Sequence, residues 1–152
     1  MSTAAKTIDT TDAGLASLLL GFESCTVTEA DWTHEAHVLV GLQYVMTCPD
    51  PLTKMRDGIH RLLKAFGIVT TDMRGYHETM THCYIAALCE YVQNERTRNP
   101  EASLRPSQLA EGAIRLATRE LPLSYYSKDR LFGAEARYGF VPPDLRPLPP
   151  LL

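Results

Sequence analysis

Apolar residues recur at helical spacing along most of the chain, and this pattern predicts an all-α protein. In the first such segment, Leu15, Leu18, Leu19 and Phe22 follow the i, i+3, i+4, i+7 spacing of one helix face. Strand-like alternation does not persist beyond a few residues, although a weaker interpretation places a short strand at 67–71. The five predicted helices lie at about 12–22, 32–47, 51–67, 76–95 and 108–120.

Helix-boundary residues support these limits. Asp50 is suited to cap the third helix with Pro51 at its first position, and Gly67 ends that helix. Ser107 is expected to cap the fifth helix, and Ser127 to cap a short helical turn beyond it. The chain therefore predicts a compact bundle of about five helices.

The two ends of the chain differ from this bundle. Residues 1–10 are small and polar and predict a flexible N-terminal tail, which leaves 11–152 as a single helical domain. The last twelve residues, VPPDLRPLPPLL, contain five prolines and predict an extended, polyproline-like segment. Disorder is one possibility for this segment, but Leu145, Leu148 and Leu151 favour a path across the helices.

Length and composition narrow the classes of function. A chain of 152 residues with 45% hydrophobic residues matches one globular domain. With a net charge of -3, the chain is not expected to have the basic surface that nucleic-acid binding needs. No apolar run is long enough to span a membrane. No secretory signal is visible and the four cysteines form no C-x-x-C pair, so we expect a cytoplasmic protein. A homo-oligomer is left open.

Three histidines are placed where the helical pattern predicts a core. On the second helix, Val38, Gly41 and Val45 lie within about 40° of His34, so His34 is central to the apolar face. His37 lies at the edge of that face, at about 300°.

The fourth predicted helix gives a similar result for His77. Ile85 and Leu88 lie on the same side of this helix as His77, and Glu78 borders that side at about 100°. His82 lies farther off the face at about 140°, and His60 of the third helix lies about 120° from its apolar face, which predicts exposure.

Imidazoles facing one another across two helices are typical of metal sites in helical bundles. We therefore expect His34, His37 and His77 to bind a divalent transition metal, either Fe, Zn or Cu, with Glu78 as the general base or a fourth ligand. Three protein ligands would leave a position for water or substrate, which predicts a metal-dependent enzyme acting on a small molecule. The zincin motif H-E-x-x-H is absent.

Two other functions fit the same residues. One is a metal-free isomerase, cyclase or lyase in which Glu78 and a core histidine exchange protons with the substrate. The other is a non-catalytic binding protein whose histidines only specify packing.

Three further side chains are candidates for contact with a substrate. Tyr76, Tyr126 and Arg130 supply oriented hydrogen-bond donors near the predicted site or near the Pro-rich end. The alternative for Tyr126 and Arg130 is that they dock the C-terminal segment.

Several short motifs resemble those of a family of small, uncharacterised microbial helical proteins. The resemblance covers most of residues 30–149, and two of its motifs contain His34, His37 and His77. It supports the location of the site and implies no particular reaction. The motifs are W-x-H-x-A-H at 32–37, Y-H-E-T-x-T at 76–81, Y-S-x-x-R-L at 126–131 and P-D-L-x-P at 143–147.

The angular positions predict opposite behaviour for core and surface histidines. Changing His34, His37 or His77 to Ala should abolish metal binding or activity. His60→Ala should alter the free energy of unfolding by no more than about 0.5 kcal/mol, and His82 should behave more like His60. Metal content, activity and chemical denaturation of the variants check this; a His60→Ala variant as damaged as His77→Ala would contradict it.

Overall fold

The computed structural model describes residues 7–151 and confirms the all-α class. No strand forms in this range, and the predicted short strand is replaced by an isolated bridge between Thr71 and Arg74. A 3-10 turn at Leu121–Ser124 follows the fifth long helix. The helices are α1 (Asp12–Glu23), α2 (His34–Thr47), α3 (Pro51–Phe66), α4 (Glu78–Arg98), α5 (Pro106–Leu116), α6 (Lys128–Leu131) and α7 (Ala134–Tyr138).

The predicted boundaries of α3 are confirmed in atomic detail. The Asp50 carboxylate accepts a hydrogen bond from the Thr53 N–H at 3.2 Å, and Pro51 is the first helical residue. Gly67 ends the helix in the left-handed region, at φ 73°, where a residue without Cβ is favoured. Ser127 likewise caps α6 as predicted, accepting from the Arg130 N–H.

The predicted limits of α5 are wrong at both ends. The helix begins at Pro106 rather than after a Ser107 cap, since a proline is well tolerated at a first helical position. It ends at Leu116, and the next residues turn back towards α2 instead of continuing to 120.

Helix α2 is the central element of the bundle, packed against α1, α3, α4 and α5. Residues 38–44 are all buried, so no face of this segment is left to solvent. Even the polar Gln43 is 6% exposed, and it donates its side-chain N–H to the Leu39 carbonyl. One core lies between α2 and α1, α4 and α5, and a second lies between α2 and α1, α3 and α4.

The C-terminal segment lies across the helices in an extended form. The Leu145 N–H donates to the Tyr125 carbonyl at 2.9 Å, and the Arg146 guanidinium lies over the Tyr125 ring. Leu148 packs on a third cluster around the buried Tyr126, whereas Leu145 and Leu151 remain largely exposed. The segment is thus held by backbone hydrogen bonds, by the contact between Arg146 and Tyr125 and by Leu148. The other two leucines, which were expected to pack on the helices, do not contribute to this cluster.

Most of the predicted N-terminal tail lies outside the described residues, which begin at 7. Within its last four residues, Ile8 packs against the first core and the Asp9 carboxylate accepts from the Thr11 N–H. None of the helices within 7–151 is long and apolar enough to cross a bilayer.

Close packing of α1 on α3 generates a stability prediction at Gly58. A Cβ at this position would overlap the ring of the fully buried Phe22. Gly58→Ala should therefore lower the free energy of unfolding by about 1–3 kcal/mol, although alanine is the better helix former.

Gly21→Ala is the matched control. Its Cβ would meet only Val27 at an ordinary 3.5 Å, so it should leave stability unchanged or raise it by up to about 1 kcal/mol. Urea denaturation of both variants checks this, and equal effects would contradict the packing.

Candidate functional site

A cavity of about 370 Å³ lies between α2 and α4 and contains the predicted histidines in its wall. Its volume is at the small end of the range for small-molecule sites. Most of the lining is apolar. The apolar and aromatic lining residues include Trp32, Val38, Met55, Ile59, Tyr76, Met80, Tyr84, Ile85 and Leu88.

Gly41 forms part of the cavity wall where α2 approaches α4. A Cβ there would lie 3.2 Å from Leu88 Cδ1 and 3.5 Å from Ile85 Cδ1. The missing side chain therefore permits close contact between the helices and keeps this part of the cavity open.

His34 lies in the first turn of α2 and is partly buried. Its Nε2 is 2.7 Å from the Ala117 carbonyl oxygen, and because a carbonyl only accepts, the ring proton is on Nε2. Nδ1 has no hydrogen-bond partner within residues 7–151. His34 thus offers one unengaged ring nitrogen.

His37 lies one turn further along α2 and has the opposite tautomer. Its Nδ1–H donates to the Thr33 carbonyl at 2.8 Å, and its ring packs on Trp32 at a centroid distance of 4.0 Å. Burial, with smaller contributions from nearby His34 and Arg119, lowers the pKa of His37 to about 4 despite the bond to Thr33. At neutral pH the imidazole is uncharged, with Nε2 unengaged among the described residues.

His77 is buried, but its inward direction arises from helix capping rather than from a helical angle. It precedes α4, so the predicted start of that helix at Tyr76 is wrong. Nδ1 accepts from the Met80 N–H at 3.1 Å, and Nε2–H donates to the Leu131 carbonyl at 2.9 Å. Both ring nitrogens are engaged, and burial lowers the pKa of the imidazole.

Glu78 is held by other side chains and does not line the cavity. Arg56 binds its carboxylate through Nε at 2.8 Å and Nη2 at 2.6 Å, and the Tyr76 hydroxyl donates to it at 2.6 Å. Burial opposes ionisation, but the bonds from Arg56 and Tyr76 outweigh it and lower the pKa of Glu78. The pair joins residues 22 apart on different helices, and no local sequence pattern indicated it.

The other predicted substrate contacts divide between the cavity and the C-terminal segment. Tyr76 lines the cavity, and its hydroxyl donates a hydrogen bond to Glu78. Tyr126 is fully buried and donates to the Val141 carbonyl, and Arg130 donates to the Pro142 carbonyl. Tyr126 and Arg130 thus dock the C-terminal segment, the alternative that the sequence left open, and the structure does not bring them to the cavity.

The structure brings the three predicted metal ligands to one cavity in unequal states. His34 and His37 each keep a free nitrogen, whereas a metal at His77 would have to displace the Met80 or Leu131 hydrogen bond. Within residues 7–151 no group of three His, Cys, Asp or Glu side chains is arranged to hold a metal ion. Metal binding by all three histidines stays a prediction.

Two residues that line the cavity, Trp32 and Arg119, were not predicted from the sequence as site residues. The indole Nε1–H of Trp32 is buried and has no acceptor in the described part of the chain. Arg119 lies at the cavity margin and is exposed, and no hydrogen bond or ion pair engages its guanidinium among residues 7–151. Trp32 could have been found from its place in W-x-H-x-A-H, but Arg119 depends on where α5 ends.

Comparisons of the chain with protein-family models, curated proteins and solved structures find no match. The resemblance to small microbial helical proteins therefore stays a prediction, and the site has to be interpreted from its own geometry.

Capping by His77 generates a prediction that separates its structural role from a ligand role. His77→Ala should lower the free energy of unfolding by about 1–3 kcal/mol, since it removes the cap of α4 and the bond to Leu131. His77→Asn places an acceptor where Nδ1 lies and should recover about half of that loss.

Chemical denaturation and hydrogen exchange at the Met80 amide measure the effect, with His82→Asn as a control on the same helix. An Asn variant that exchanges at Met80 as fast as the Ala variant would contradict the capping role.

Proposed function

We propose that the protein binds a small, largely apolar organic molecule in the cavity between α2 and α4 and presents the free nitrogens of His34 and His37 to it. The observation that carries this proposal is the pair of imidazoles, each fixed to a backbone carbonyl through one nitrogen while the other is unengaged. A side chain held in this way has a fixed tautomer and direction before the ligand arrives.

The remaining wall supports a ligand site rather than a packing defect. Genuinely empty cavities in proteins are apolar, whereas the lining of this cavity includes the imidazoles of His34, His37 and His77 and the guanidinium of Arg119. Its apolar part provides burial for a hydrocarbon or aromatic body. Proton transfer to or from such a ligand by an imidazole is the simplest chemistry available, and it makes no use of Glu78.

A second candidate is a metal centre on the same pair of histidines, with a chelating substrate supplying further ligands. Histidines that bind metals generally donate the other ring N–H to a carbonyl or carboxylate, as His34 and His37 do. The His34 Nδ1 and His37 Nε2 atoms would be the ligands, and Fe, Zn or Cu would polarise the bound substrate. Equilibrium dialysis with each metal distinguishes this candidate, since only a metal centre loses its metal in His34→Gln and His37→Gln.

Trp32 is the sole tryptophan of the chain, so its indole N–H resonance and its fluorescence report directly on the cavity. Titration with a library of small apolar fragments should shift the Trp32 indole N–H resonance. His37→Gln should weaken the strongest fragments about tenfold, because their contact with Nε2 is lost.

His82→Gln is the matched control, since His82 does not line the cavity and its ring packs on Phe140, which lies outside the lining as well. It should leave fragment affinity unchanged. Fragments that bind without moving the indole resonance, or that bind His37→Gln as tightly as the original protein, would contradict the proposal.

A further inference from the structure

The polar groups of the cavity lie together at one end. Trp32, His34 and His37 are at the start of α2, and the bond between His34 and Ala117 brings the end of α5 to the same place. Arg119 follows two residues later, and its charge acts on His37. Gly41, about two turns further along α2, marks the apolar part. The cavity therefore has a polar end and an apolar body.

Arg119 supplies a positive charge at the polar end of the cavity. Its guanidinium has no partner among the described residues, whereas Arg56 and Arg105 pair with carboxylates. A guanidinium presents paired N–H donors that match the two oxygens of a carboxylate. The Arg119 guanidinium is therefore suited to bind an anionic group of a ligand.

Trp32 shapes this end of the cavity through its ring. Its indole N–H is enclosed by protein atoms and has no acceptor in the described part of the chain, so it is not offered to a ligand. The indole is held in place by its ring contacts with Phe22 at 4.8 Å and His37 at 4.0 Å. The ring is thus a fixed part of the cavity wall.

The charged surroundings favour a negative ligand group. The residues that line the cavity include Arg119 but no aspartate or glutamate. Glu78 bonds to the lining residue Tyr76, but its charge is paired with Arg56, and Glu120 is exposed and does not line the cavity. A carboxylate at the polar end therefore meets the Arg119 guanidinium without an acidic side chain in the wall.

Building on the proposed function, we infer that the ligand is a small monocarboxylate with an apolar body, bound through its carboxylate by Arg119. Arg119 is the single lysine or arginine among the described residues that line the cavity, which matches a ligand with one negative charge. The modest cavity volume and its apolar walls select a short aliphatic or single-ring body over a polar, sugar-like one.

The test compares carboxylates with their uncharged amides. Hexanoate and phenylacetate are titrated against hexanamide and phenylacetamide, with Trp32 fluorescence and its indole N–H resonance as readouts. Each carboxylate should bind at least about tenfold more tightly than its amide. Arg119→Gln should weaken the carboxylates about tenfold and leave the amides unchanged.

Arg115→Gln removes the same charge from an exposed site on α5 that does not line the cavity, and it should bind the carboxylates normally. Both arginines are exposed, and unchanged thermal midpoints will establish that the variants are folded. Equal binding of amide and carboxylate, or equal losses in the two variants, would overturn the carboxylate assignment while the cavity function survives. If none of the four compounds moves the indole resonance, the carboxylate assignment is overturned, while the cavity function is decided separately by the fragment titration.

Discussion

The candidate site depends on hydrogen bonds from imidazole N–H groups to backbone carbonyls. His34 reaches the carbonyl at the end of α5, His77 reaches the end of α6, and His37 bonds within its own turn. Each bond places a proton on the nitrogen that makes it, because a carbonyl oxygen accepts and never donates. What differs is the second nitrogen: His77 uses it to cap α4, whereas His34 and His37 leave it free.

The packing of α2 and the anchoring of α4 explain how so small a bundle can contain a cavity. Helix α2 is buried along residues 38–44, so its core carries the packing while its first turn is free to line a cavity. The Arg56–Glu78 pair and the His77 cap fix the start of α4 on the opposite wall. Arg137 strengthens this wall by donating to the carbonyls of Gly75 and Tyr76. Rigid walls of this kind hold side chains in one geometry before a ligand binds.

Local chemistry made part of this arrangement predictable. The Asp50-Pro51 start and Gly67 end of α3 follow from capping and backbone preference alone, and both are confirmed. Helical spacing also brought His34, Gly41 and His37 to the α2 side of the cavity. His60 is exposed, as its angle predicted.

Contacts between distant segments could not be predicted in the same way. The bond from His34 to Ala117 joins residues 83 apart, and Arg119 reaches the cavity only because α5 ends at Leu116. His77 illustrates a subtler failure: its inward position was predicted from a helical angle, but it lies outside the helix and acts as its cap. Glu78 borders the predicted face, yet Arg56 draws its carboxylate away from the cavity wall.

The tautomers of the three histidines test the central claim most directly. Long-range proton–nitrogen correlation spectra of the imidazole rings, recorded at about pH 8 where histidine is uncharged, assign the protonated nitrogen of each ring. We predict the Nε2–H form for His34 and His77 and the Nδ1–H form for His37. An Nδ1–H form at His34, an Nε2–H form at His37, or rapid exchange between the two forms at either residue would contradict the site described for this protein.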